Sequence, residues 1–134
     1  MTPEKLLAVI QKSRNGTDHY HRHWFVHHFL YTDGVKEVAE TAHAYWLLDR
    51  LAAEQAQTVL SWFEAGGGNT GHIKLDVADS NATLTLEGKD QDGHQVQRTQ
   101  LGYTDFPAGH WAFKLCVNRS SKGYVVVACL YSED

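Results

Sequence analysis

The chain has 134 residues, 43% of them apolar and 21% charged, which suits one globular domain spanning 1–134 and excludes wholesale disorder. Sixteen acidic against twelve basic residues leave a formal charge of −4, so there is no broad basic field for nucleic acid. No apolar run approaches the roughly 20 residues of a membrane helix, and no basic-then-apolar leader opens the chain, so a cytoplasmic protein is expected.

Residues 3 to 13 are predicted helical. Thr2 can cap this helix, Pro3 suits its first position, Leu6, Leu7, Val9 and Ile10 supply an apolar stripe, and Asn15-Gly16 stops it. Residues 17 to 31 are rich in β-formers with imperfect alternation, and Phe25–Tyr31 reads as a short strand. Asp33 is the expected N-cap of a central helix. There Val35, Val38, Ala39, Ala42, Tyr45 and Trp46 recur at helical spacing, and Leu48, Leu51 and Ala52 extend the stripe. Burial of both aromatics is expected. Neither Gly nor Pro interrupts residues 35 to 65, so the helix continues or bends until Gly66-Gly67-Gly68 ends it.

From there the apolar period changes to two. Ile73, Leu75 and Val77 make one strand, and Ala82, Leu84 and Leu86 the next, with Asp79-Ser80-Asn81 as the turn. A polar strand at 95–101 reads as an edge. Trp111, Phe113, Leu115 and Val117 line a fourth, and the doubly apolar Tyr124–Tyr131 reads as a central strand. The fold class is therefore α+β, with N-terminal helices packed on one face of an antiparallel meander of about five strands. A hairpin turn at Ser120-Ser121 places Cys116 opposite Val125 and Cys129 opposite Ala112. That separation is too wide for a disulfide, and both are read as reduced core thiols with burial-raised pKa.

Nine histidines are the compositional oddity. Protonating all of them adds nine charges and carries −4 to +5, so the sign of the protein changes near the pKa of imidazole, roughly 6.5. His19, His21 and His23 share one face of a strand and could hold zinc or another transition metal. On a helix, His19, His23 and His27 align instead. No Cys lies nearby, and there is no His-Glu-x-x-His pattern to add a base.

Other catalytic patterns are missing. Ala65–His72 leaves a helix and enters a strand, the reverse of a phosphate-cradling loop, and reads as a flexible connector. No Gly-x-Ser-x-Gly elbow occurs. Asp33 and Asp105, each in a Tyr-Thr-Asp context, are read as turn and helix-start residues rather than an acid–base pair. Trp24, Trp62 and Trp111 could form a binding surface if exposed, and at least one is expected to be accessible.

The segments Gly16–Trp24, Tyr31-Thr-Asp-Gly-Val35, Ala44-Tyr-Trp-Leu-Leu-Asp49 and Tyr103-Thr-Asp-Phe-Pro107 together resemble a family of small bacterial proteins of unknown function. The similarity covers most of residues 16 to 107, and the strands after Pro107 resemble it less. The histidines at 19, 21, 27 and 28 depart from what the resemblance implies. It transfers no activity, and it implies small single-domain proteins, some carried by phages or plasmids. The functional expectation is a non-enzymatic accessory protein that binds another macromolecule, most simply a protein, in the manner of a mobile-element inhibitor of a host system. The alternative is a metal-binding protein or metal-dependent enzyme using His19, His21 and His23. Self-association through a strand edge or aromatic patch stays open, and nucleic acid is disfavoured.

Overall fold

A computed structural model of the chain describes residues 2–12, 19–104, 106–120 and 123–133. Helix α1 (Pro3–Lys12) is followed by two short strands, β1 (Tyr20–Arg22) and β2 (Phe29–Thr32). Next come α2 (Asp33–Thr41), α3 (Tyr45–Arg50), a π-helical turn at Leu51–Gln55 and α4 (Ala56–Glu64). The remainder is strand: β3 (Thr70–Ala78), β4 (Asn81–Asp90), β5 (Gly93–Tyr103), β6 (Gly109–Ser120) and β7 (Gly123–Cys129), closed by a 3₁₀ turn at Tyr131–Glu133. No helix of the described residues is long and apolar enough to cross a membrane.

Alternation builds the core. Ile73, Leu75 and Val77 of β3, Ala82, Leu84 and Leu86 of β4, and Trp111, Phe113, Leu115 and Val117 of β6 are all buried on one sheet face. Against them pack Val35, Val38 and Ala39 of α2, Leu47 and Leu48 of α3, and Ala56 and Val59 of α4. Each such aliphatic contributes about 1.5–3 kcal/mol by leaving water. The Asp79-Ser80 turn between β3 and β4 has φ of 52° and 64°, the left-handed pair that matches strand twist in a two-residue hairpin.

The sheet has seven strands in the order β1-β2-β7-β6-β3-β4-β5. This corrects the five-stranded meander in two ways. The fourth antiparallel strand, β6, crosses back to pair with β3 instead of β5, so β3 to β6 form a Greek key. The single strand expected at 25–31 is replaced by β1 and β2, with β2 running parallel to β7 (Phe29 beside Val126). The five expected strands are otherwise present, with β5 at the sheet edge and β7 inside it.

The helical stretch also breaks where no Gly or Pro marks it. α2 stops because His43 takes φ 52°. Its amide donates to Glu40 O at 3.2 Å, and that of Ala44 donates to Ala39 O at 2.8 Å. These are the two bonds of a Schellman stop, made here with histidine where glycine is usual. Asp33 is not the N-cap. Thr32 is: its hydroxyl accepts from Val35 N at 3.3 Å and donates to Glu133 Oε1 at 2.5 Å. Glu133 Oε2 also accepts from Gly34 N at 3.2 Å. A carboxylate from the last turn of the chain thus sits against the positive end of α2. Thr2 caps α1 as expected, accepting from Lys5 N at 3.4 Å. The expected stop at Asn15-Gly16 and the role of Asp105 lie outside the described residues.

The glycine-rich segment after α4 is docked, which corrects its reading as a flexible connector. Gly66, at φ 99°, and Gly67 donate to Phe63 O and Trp62 O, a second Schellman stop, and Gly68 N donates to Lys89 O at 2.9 Å. A Cβ on Gly67 would lie 2.2 Å from Lys89 O and 2.6 Å from Asp90 Cα, whereas one on Gly66 would meet nothing within 4 Å. Gly67→Ala should therefore destabilise more than Gly66→Ala. The expected losses are about 3 kcal/mol for forced overpacking against backbone and about 1–2 kcal/mol for left-handed strain. Urea midpoints of the two variants provide the check, and a reversed order would contradict the docking.

Candidate functional site

The loop between β1 and β2 is organised by one buried imidazole. His23, 5% exposed, accepts at Nδ1 from the amides of Phe25 (3.2 Å) and Val26 (2.9 Å). Those two donors require an unprotonated Nδ1, so Nε2 carries the proton and donates to Asp49 Oδ1 at 2.7 Å. Asp49, near the end of α3, also accepts from the indole of Trp24 at 3.3 Å. The base of the loop is thus tied to α3 while Trp24 and Phe25 stand outward, 76% and 73% exposed, with ring centroids 5.4 Å apart.

A second aromatic group lies further along the same helix. Trp46 is 36% exposed and Tyr45 is also exposed, which corrects their assignment to the buried stripe: the stop at His43 re-aims α3, so Leu47 points inward beside Leu48, which was expected there. Trp46 meets Phe106 edge-on at 6.4 Å, and Phe106 meets Trp111 edge-on at 6.1 Å. Between α3 and the end of β5 is a shallow concavity of about 290 Å³ lined by His43, Trp46, Arg50, Leu101, Tyr103 and Phe106, among others. Tyr103 is 76% exposed. Shallow surface joins this concavity, through Trp46, Asp49 and Arg50, to the apolar hollow formed by His23, Trp24, Phe25 and Val26. One face along α3 therefore carries Trp24, Phe25, Trp46 and Tyr103 around the Asp49–Arg50 step. Arg50 is held by Glu54 at 3.0 Å.

The structure separates the tryptophans read as a binding surface. Trp24 is exposed. Trp62 is partly buried, its ring over Gly88, where a Cβ would approach to 2.7 Å. Trp111 is buried in the core and donates to Pro107 O at 2.8 Å. Phe25, Trp46 and Tyr103 were missed as surface residues. Only the recurrence of Tyr-Thr-Asp before Phe106-Pro107 hinted that the Tyr103 segment mattered.

The three candidate metal ligands also divide. His21 Nε2 lies 2.8 Å from Asp33 Oδ1, and His19 N donates to Asp33 Oδ2 at 3.1 Å. Asp33 therefore anchors β1 to the start of α2, while His23 is committed to Asp49. Among the described residues no three His, Cys, Asp or Glu side chains are grouped to hold a metal ion.

Segments distant in sequence are thus brought together. His21 meets Asp33, His23 and Trp24 meet Asp49, and Trp46 meets Phe106. The chain belongs to the family of unknown function DUF6876, whose model matches residues 6–134. The match extends through the strands after Pro107, beyond the segments that carry the resemblance in the sequence. No curated protein and no solved structure matches the chain.

Proposed function

We propose that this DUF6876 member is a small accessory protein that acts by binding another protein through the aromatic face along α3. The observation that carries this reading is the concentration of exposed Trp24, Phe25, Trp46 and Tyr103 on one face. Large aromatics left in water cost the isolated protein solubility, and Trp, Tyr and Arg are the residue types that dominate binding energy at protein interfaces. The face is also preorganised. His23 fixes the loop, Phe106 supports Trp46, and His43 holds a left-handed backbone at the rim of the concavity, a kind of strain that gathers at functional sites.

The test uses the wild-type chain and a Trp46→Ala/Tyr103→Ala double variant as baits in a lysate of the encoding cell. Both residues are exposed, so the variant should fold. A protein retained by wild type and lost from the double variant supports the reading, and equal retention by both contradicts it.

A further inference from the structure

The sheet face away from the helices carries the two cysteines. Ser120 pairs with Gly123, so the β6–β7 register sets Cys116 beside Val127 and Cys129 beside Lys114. The expected pairing is displaced by two residues. The cysteines keep the same face but become diagonal neighbours on adjacent strands. The Cys129 thiol lies beside Cys116 on this face, and Thr70 of β3 stands opposite Cys116 on the other side. Both thiols are partly exposed and unbonded to each other covalently. Over them folds Tyr131, stacked on His72 of β3 at 5.8 Å and beneath Lys114 Nζ at 5.6 Å, with its hydroxyl bonded to His72.

We propose that Cys116 and Cys129 are a peroxide-oxidisable dithiol that closes a disulfide between β6 and β7. The geometry assigns distinct roles. Cys116 lies between Thr70 of β3 and Cys129 of β7 and feels the Lys114 charge, surroundings that favour its thiolate, whereas Cys129 keeps its proton. The Cys116 pKa is lowered to about 6 by the Cys129 hydrogen bond, then by Lys114 and Thr70, and against burial; that of Cys129 is raised by the same bond and by burial. The sequence-based view of two blunted core thiols is therefore corrected for Cys116. The other charged or titratable groups around the pair are His72 of β3, Glu87 of β4, and Tyr131 and Glu133 of the last turn.

The chemistry balances with a hydroperoxide as oxidant. The Cys116 thiolate attacks one peroxide oxygen and the O–O bond breaks. An S–O bond forms, and the departing oxygen takes a proton to leave as water or alcohol. Cys129 then loses its proton, its sulfur attacks Cys116 sulfur, the S–O bond breaks and a second water leaves. The two sulfurs together give up two electrons, which the peroxide accepts. Diagonal partners stand farther apart than directly opposed ones, so closure draws the strands together locally. The resulting bond is one that thiols reopen readily.

The experiment treats the untagged chain with hydrogen peroxide and reads intact mass without reductant. The expected product is a monomer lacking two hydrogens and two alkylatable thiols, restored by dithiothreitol. Cys129→Ser should stop at sulfenic acid on Cys116, captured by dimedone, and Cys116→Ser should give neither product. Circular dichroism matching wild type establishes that both variants are folded. Wild-type thiols that stay alkylatable after peroxide, a disulfide only between chains, or dimedone capture on Cys129 in Cys116→Ser would each overturn the proposal. A variant-free readout is iodoacetamide alkylation of Cys116 between pH 5 and 9. The rate should already be near its plateau at pH 7, where a free cysteine of pKa about 8.5 is still far below its own. A profile still climbing at pH 8 would count against the assignment.

Discussion

Replacing Phe106 with alanine is expected to lower stability by about 3–5 kcal/mol, the usual cost of emptying a buried aromatic site. That is a large share of the roughly 5–15 kcal/mol available to a domain. Phe106 is 3% exposed, and its ring stands between Trp46 and Trp111 with edge-on contacts to both. Its segment is fixed by Thr104, whose amide donates to Ser80 O at 2.8 Å and whose hydroxyl accepts from Phe106 N at 3.1 Å. Removing the ring leaves a cavity and also withdraws the support behind Trp46. Phe106→Leu should recover most of the volume but not the ring–ring term, worth about 0.5–1.5 kcal/mol per pair. Urea unfolding of the two variants checks the order. A Phe106→Ala loss below about 1 kcal/mol would show that the ring does not pack as described.

His23→Ala is the second large effect, and its origin is polar. Two backbone amides, those of Phe25 and Val26, lose their shared acceptor, and Asp49 loses its closest donor. An unpaired buried donor costs about 1–3 kcal/mol. The loop can open to let water reach part of the gap, so a total near 2–4 kcal/mol is expected. Hydrogen exchange reads the local event directly. The Phe25 and Val26 amides, protected in the wild type, should exchange in the variant at rates typical of an open loop, while β3 and β6 amides shift only with global stability. Unchanged exchange at those two amides would mean that His23 does not hold the loop.

The contrast between these two sites shows what a sequence can reveal. The burial of Phe106 was not legible, since its segment was read only as a turn before Pro107. The strands around it were marked by clean alternation, because a half-buried sheet writes its period directly into residues such as Ile73, Leu75 and Val77. A strand was expected at 25–31, but its division into β1 and β2 was hidden, because β2 gains its partner from β7, about a hundred residues away. Local pattern carries no trace of such a parallel pairing. The break after α2 was hidden because a histidine took the left-handed position usually filled by glycine, and from that one residue the exposure of Tyr45 and Trp46 follows. The cysteine pair was missed through a two-residue displacement in the β6–β7 register, which preserves the face of every side chain and so leaves the apolar pattern unchanged. His19, His21 and His23 were legible as a cluster. Their partners Asp33 and Asp49 were not, since each lies on a helix whose position only the fold supplies.

Site-specific photo-crosslinking in the encoding cell tests the central claim most directly. A photoreactive phenylalanine analogue is placed at Phe25 and Tyr103 on the aromatic face, and at Lys74 and Gln97 on the exposed strand surfaces remote from it. The account predicts one crosslinked protein common to Phe25 and Tyr103 and absent from Lys74 and Gln97. Crosslinks confined to Lys74 or Gln97 would place the working surface elsewhere and contradict it.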